Sequence, residues 1–212
     1  MDKEVGIQTS QGNLRGLLSV PLEAKGIVLF AHGSGSGRLS PRNQFVAKKL
    51  QQKKLATLLM DLLTEQEEAI DERTRWYRFD IDLLAERLVA VTEWVAAHEA
   101  TKQLKIGYFG ASTGAAAALK AAATLGDQIK AIVSRGGRPD LAEKVLSTVL
   151  APTLLIVGEC DPVVIELNKK AYDLLQVEKK LEIIPKATHL FEEPGTLEEV
   201  ARIASLWFER LL

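Results

Sequence analysis

Cysteine occurs once in this chain, at Cys160. A single thiol can close no internal disulfide and supplies no thiolate cluster for zinc, so the fold must stand on its apolar core. Charge of one sign is lacking too: 27 Lys+Arg stand against 28 Asp+Glu, a formal net charge of -1. Without a cationic excess there is no field to capture nucleic acid or an anionic membrane, and neither is expected as a partner. No apolar run approaches the roughly 18 residues of a membrane span. The opening MDKEVGIQ has neither the basic start nor the apolar stretch of a signal peptide. A reducing, cytoplasmic setting is the expectation. The 212 residues, 47% of them hydrophobic, suffice for one substantial core and are short for two, so residues 1–212 are read as one domain.

The chain alternates buried strands with helices. VGIQ and NLRGLLSV read as an antiparallel hairpin with its turn at Gly12-Asn13. GIVLFAHG, LATLLMDL, KIGYFG, IKAIVS, TLLIVG and LEIIP are the short apolar runs of strands buried on both faces of a parallel sheet. Between them lie helix-prone stretches: one from Pro41 with Phe45, Val46 and Leu50 on one face, one from Phe79 to about Glu99, then TGAAAALKAAATL, DLAEKVLSTV, VIELNKKAYDLL and TLEEVARIASLWFERLL. The charged segment Thr64 to Arg78 reads as a solvated loop or short helix, with Trp76, Tyr77 and Phe79 assigned to the core in preference to a lid. Right-handed crossovers then give an α/β fold: a mainly parallel sheet with an antiparallel N-terminal edge and helices on both faces.

In such a sheet the strand-to-helix loops emerge at one edge, and candidate chemistry is sought there. Gly110-Ala111-Ser112-Thr113-Gly114 matches G-x-S-x-G in its required context of strand before and helix after, which displays Ser112 as a nucleophile. The competing reading is a serine that merely caps the helix. A serine hydroxyl needs a base. Of the three histidines, His98 ends an amphipathic helix and His32 precedes a glycine turn that its ring would fix, whereas His189 follows the last strand on the catalytic edge. Asp161, after TLLIVG, can orient His189 through its other ring nitrogen, with Glu159 the substitute and simple turn chemistry beside Pro162 the bland alternative. The order Ser, Asp, His is that of the α/β-hydrolases. Backbone N–H groups of Thr113 and of the glycine-rich turn after His32, at Ser34 or Gly35, would receive the oxyanion. That turn lacks the GK[ST] ending or G-x-G-x-x-G register of a nucleotide-binding loop.

The loops AHGSGSG, GASTG, GECD and THLFEEPG span nearly the whole chain, and together they resemble the α/β-hydrolase superfamily, more narrowly its dienelactone hydrolase-like family. The resemblance implies a single-domain α/β-hydrolase fold with an eight-stranded sheet and no large lid domain. It implies a serine hydrolase of small carboxylic esters, lactones or thioesters that uses no cofactor and no metal. The founding enzymes carry cysteine at the elbow, where this chain has Ser112; serine favours ordinary ester hydrolysis through an acyl-enzyme. SGRLSPRN, SRGGRPDL and THLFEEPG resemble a compact bacterial branch whose members are sometimes joined to phosphoribosyltransferase domains, which implies such a domain as partner to a monomer or homodimer. A catalytically silent binding domain of the same fold and an acyltransferase are the alternatives. Arg135, Arg138 and Arg42 emerge on the same edge and are candidates to bind a carboxylate or phosphate of the substrate; the competing reading is internal pairing, Arg135 or Arg138 with Asp140, and helix capping around Arg42.

Overall fold

Side-chain alternation in the central strands decides the architecture, which a computed structural model describes for residues 2–212. In β3 (Gly26–Ala31), Ile27, Leu29 and Ala31 enter one apolar cluster while Val28 and Phe30 enter another. β4 (Ala56–Met60) and β5 (Lys105–Ala111) divide the same way, with Leu58 and Tyr108 on the first side, Leu59 and Phe109 on the second. Successive side chains of a strand point to opposite faces, so a strand apolar throughout must be covered on both. One cover consists of α3 (Ile81–Ala97), α4 (Thr113–Leu125), a 3₁₀ run (Pro139–Thr148) and α5 (Pro162–Leu174). The other consists of α1 (Pro41–Gln52) and α6 (Thr196–Leu211).

The remaining strands are β1 (Lys3–Thr9), β2 (Gly12–Ser19), β6 (Ile129–Arg135), β7 (Thr153–Gly158) and β8 (Lys179–Ile184), and the eight lie in the order β1-β2-β4-β3-β5-β6-β7-β8. β1 pairs antiparallel with β2 and β2 with β4, while every other neighbouring pair is parallel. This is the α/β-hydrolase arrangement that the sequence implies. Among the described residues no helix is long and apolar enough to cross a membrane.

Four local expectations need correction. The hairpin turns at Ser10-Gln11, because Gly12 and Asn13 already pair with Thr9 and Gln8 in the ladder. The helix expected from Phe79 begins only at Ile81, where the Asp80 side chain accepts the Leu83 N–H. The segment DLAEKVLST is 3₁₀ instead of α, in a run whose buried residues are Pro139, Ala142 and Leu146. Finally, Trp76 and Phe79 are 77% and 58% exposed, so only Tyr77 of the three aromatics packs on the core.

The reason for that exposure lies in polar contacts. The charged segment forms α2 (Glu65–Thr74), which ends at Arg75 in a left-handed conformation and is followed by a 3₁₀ turn at Tyr77–Phe79. Buried Asp71 accepts from the Arg78 backbone N–H at 3.0 Å and from its Nε at 2.6 Å. Burial alone would raise the Asp71 carboxyl; the hydrogen bonds from Arg78 outweigh it and hold it below its ordinary value. These bonds fix the turn without using its aromatic rings. At the other end of α2, Thr64 and Glu67 form a capping box, Thr64 Oγ1 accepting from Glu67 N and Glu67 Oε2 from Thr64 N. Thr64→Ala should cost about 1 kcal/mol and lower Tm by roughly 2–4 °C, measured by thermal unfolding.

Candidate active site

Ser112 occupies the turn between β5 and α4 with φ 50° and ψ −120°. A non-glycine residue there costs of order 1–3 kcal/mol and persists only when its surroundings over-determine it. They do here. Ser112 N donates to Arg135 O at 3.2 Å, while Ser112 O accepts from Ala115 N and Arg138 N at 3.1 Å each. Although Ser112 stands at the N-cap position, its side chain makes no capping hydrogen bond, so helix capping does not explain the residue. The strained turn is the nucleophile-elbow geometry.

Ser112 and His189 line one pocket of about 170 Å³, together with Ser34, Arg42, Asn43 and Arg135. His189 Nδ1 lies 2.6 Å from Asp161 Oδ2. With the proton on Nδ1 donated to that carboxylate, the Nε2 lone pair is left to accept another. Asp161 stands at the N-cap of α5 but gives that helix no side-chain hydrogen bond, so turn chemistry does not account for it. Glu159 is engaged elsewhere, accepting the Lys186 N–H at 2.8 Å. The structure therefore brings together Asp161 and His189 and places Ser112 in the same pocket, but no direct Ser112–His189 hydrogen bond is formed among the described residues. Such bonds often tighten only with substrate bound.

One bracing residue escaped the sequence reading. Glu193 accepts from Thr188 N at 3.1 Å and from Thr188 Oγ1 at 2.6 Å, which ties down the loop carrying His189. The Thr188 hydroxyl and backbone N–H hold the Glu193 carboxyl below its ordinary value. A glutamate in a glutamate-rich loop gives no signal in the chain; only the fold sets it beside Thr188.

The other histidines do as expected. Leu62 N donates to His32 Nε2 at 3.0 Å, which puts the ring proton on Nδ1, where it reaches Gly33 O at 2.9 Å. Burial lowers the pKa of His32, so its imidazole is a neutral tie between the β3 and β4 loops. His98 caps α3 and stacks near Trp94, with centroids 4.5 Å apart.

Thr113 N–H heads α4 and has no acceptor within the helix. Ser34 Oγ lies 2.9 Å from Thr113 Oγ1, a hydroxyl bond that fixes the two candidate donor loops to each other. Ser34 lines the Ser112 pocket; Gly35, at φ 69°, turns instead into an adjacent cavity of about 250 Å³ that Ser34 also borders. Arg38 braces the same loop through Asp61, whose carboxylate accepts from Arg38 N at 2.8 Å and Nη1 at 2.7 Å.

The three arginines have separate fates. Arg138 is held by Asp140 in a bidentate pair at 2.9 and 2.7 Å, the internal pairing that was its competing reading. Arg42 Nη1 donates to the exposed Glu192 at 3.0 Å, so helix capping does not describe it; Ser40 is the residue that caps α1. Arg135, 7% exposed, meets neither Asp140 nor any other carboxylate among the described residues.

The profile of the Dienelactone hydrolase family matches residues 14–212. The chain belongs to the dienelactone hydrolase family. Its backbone superposes on a crystal structure of a dienelactone hydrolase from Anabaena variabilis with TM-score 0.99 and 57% identity, covering 100% of this chain and 98% of that one. Proteins of Mycobacterium tuberculosis, from strains CDC 1551 and H37Rv, are each 54% identical over 98% of this chain and are provisionally named phosphoribosyl transferases. The chain covers 46% of each, about half the length of these curated relatives. An esterase domain from Rhodothermus marinus, 18% identical with TM-score 0.78 over 100% of this chain and 99% of that one, shares the fold. Family and fold together support a hydrolase.

Proposed function

We propose that this member of the dienelactone hydrolase family is a serine hydrolase that cleaves small carboxylic esters, lactones or thioesters through an acyl-enzyme on Ser112. The observation that carries the reading is the strained, uncapped Ser112 turn facing the same pocket as the His189–Asp161 pair. Ser112 Oγ adds to the substrate carbonyl carbon as His189 Nε2 takes the hydroxyl proton. The Thr113 and Ser34 N–H groups receive the oxyanion, each such donor contributing about 3–4 kcal/mol to the transition state. Collapse breaks the bond to the alcohol or thiol, which leaves with the proton from His189. Water then attacks the acyl carbon, His189 takes its proton, and the acid departs as that proton returns to Ser112. Asp161 holds the ring tautomer and stabilises the imidazolium in both halves.

A fluorophosphonate probe tests this. The folded protein should be labelled at Ser112, the label should vanish in Ser112→Ala and persist in Ser147→Ala, and 4-nitrophenyl acetate turnover should follow the label. A folded chain with no label at Ser112 would sink the reading. Adding alcohols or amines to the assay separates hydrolysis from acyl transfer by the product formed. The phosphoribosyl transferase name of the mycobacterial relatives is assigned, on this proposal, to the half of their length that the present chain does not span. A phosphoribosyltransferase domain is then the partner with which this hydrolase works.

A further inference from the structure

We infer that Asn168, near the middle of α5, is a positioning residue that sets the Ser112 turn for attack by way of the loop after β6. This rests on the serine hydrolase reading and extends it to a side chain that does not line the Ser112 pocket. The elbow is held from outside. Ser112 N donates to Arg135 O at 3.2 Å, and Ser112 O accepts from Arg138 N at 3.1 Å, so whatever fixes residues 135–138 fixes the nucleophile. The two residues between those grips are both glycine, the backbone with most freedom to move, and Gly136 stands at φ 52°. Two anchors restrain them. Gly136 N donates to Ile156 O of β7 at 2.7 Å, and Asn168 Nδ2 donates to Gly137 O at 3.0 Å. Among the described residues no other side chain hydrogen-bonds the backbone of this loop.

The second bond of the same carboxamide ties the loop to the rest of the site. Nδ2 also donates to Val164 O at 2.8 Å, in the first turn of α5, the helix whose N-cap is Asp161. One NH2 group thus joins the helix that presents Asp161 to the loop that grips Ser112. His189 lies against that loop too: a Cβ on Gly136 would stand 3.5 Å from its ring Nδ1 and Cε1 and 3.2 Å from its backbone O. Gly137 has little room of its own, since a Cβ there would fall on Ser134 Oγ and 2.7 Å from Ala115 Cβ, in the first turn of α4. Stability alone does not account for an asparagine in this place. Asn168 is fully buried and its Oδ1 has no partner, and an orphaned buried acceptor costs about as much as two neutral hydrogen bonds return. Asn43 carries an equally orphaned Oδ1, so what sets Asn168 apart is the pair of carbonyls that its Nδ2 spans. Without that tie the Gly137 carbonyl must find another donor, and a shift of the loop carries the Arg138 N–H, and with it Ser112.

Asn168→Leu removes both hydrogen bonds at similar volume and is the test. With rates taken per folded molecule, the folded fraction coming from thermal melts, kcat for 4-nitrophenyl acetate should fall by about 10- to 100-fold while KM stays within about twofold of wild type. Fluorophosphonate labelling of Ser112 should slow by a similar factor. Thr64→Ala, which weakens the fold without touching the loop, should leave both rates unchanged on the same basis. An Asn168→Leu protein that keeps both rates, that loses activity only in proportion to its unfolded fraction, or that raises KM at constant kcat overturns the inference and leaves the hydrolase reading standing. A wild type with neither turnover nor label at Ser112 overturns both. Should Asn168→Leu fail to fold, Asn168→Ser decides by the same two rates, because its shorter hydroxyl serves the carbonyl four residues back in the helix and gives up Gly137 O. Should neither variant fold, amide hydrogen exchange in the wild type decides: Gly136 and Arg138 should exchange as slowly as β6, and exchange at the rate of an unanchored loop overturns the inference.

Discussion

Asp161→Asn is expected to lower kcat/KM for ester hydrolysis by about 10³- to 10⁴-fold while leaving thermal stability almost unchanged. The two halves of that expectation come from different observations. Asp161 gives its carboxylate to His189 Nδ1 at 2.6 Å and no capping bond to α5, so the helix loses no hydrogen bond when the charge is removed, only a dipole interaction of about 0.3–1 kcal/mol. The imidazole loses the acceptor that fixes its tautomer. An amide in that place can present N–H to Nδ1, which puts the ring proton on Nε2, facing Ser112, where a lone pair is needed. A factor of 10⁴ corresponds to about 5.5 kcal/mol of transition-state stabilisation. Glu159→Gln is the control: its carboxylate accepts the Lys186 N–H and is remote in role from the ring, so kinetics should change little. Steady-state assays with thermal melts of both variants decide the matter. Activity within tenfold of wild type in Asp161→Asn would remove Asp161 from the mechanism.

The parts of this site that could be read from the chain are those with a local cause. An apolar strand, a small-residue turn and an alanine-rich helix are adjacent in sequence, so the Ser112 elbow is written in one stretch of residues. Asp161 and His189 are legible because each follows a strand, β7 buried and β8 at the sheet's edge, and parallel strands bring such loops to one edge. What resisted reading depends on contacts between distant residues. Nothing in SRGGRPD distinguishes Arg138, paired with Asp140, from Arg135, left unpaired, because the difference lies in which acceptors the fold sets within reach of each guanidinium. Trp76 and Phe79 look like core by residue type; the Asp71–Arg78 bonds that turn them outward span seven residues of a charge-rich segment. The 3₁₀ run from Pro139 has a composition that suits an α-helix, and its buried residues, Pro139, Ala142 and Leu146, carry the same spacing, so nothing local in the chain marks it as 3₁₀.

The second large effect is expected at a residue with no chemistry. Gly114→Ala should destabilise the fold by about 3 kcal/mol or more, the upper range for overpacking a closed site, and should also abolish efficient labelling of Ser112. A Cβ on Gly114 would lie 2.2 Å from Ala31 O and 2.4 Å from His32 O. Those obstacles are backbone carbonyls at the end of β3, so no rotamer change relieves them; either α4 withdraws or the turn after β3 does. Gly110 is under the same constraint from the other side, its Cβ falling 2.4 Å from Ala115 Cα. The two glycines of the elbow thus serve close approach of helix to sheet. Withdrawal would carry Thr113 N–H away from Ser34, and a displacement of about 1 Å near a reacting centre can cost on the order of 10²-fold in rate. Gly195→Ala is the contrast: at φ 84° it meets nothing within 4 Å, so its penalty is conformational alone, about 1 kcal/mol. Urea unfolding gives the stabilities, and fluorophosphonate labelling of whatever remains folded reports the elbow. Near-wild-type stability and labelling in Gly114→Ala would mean that α4 does not seat against the β3 carbonyls, and the proposed alignment of Ser112, Thr113 and Ser34 would lose its support.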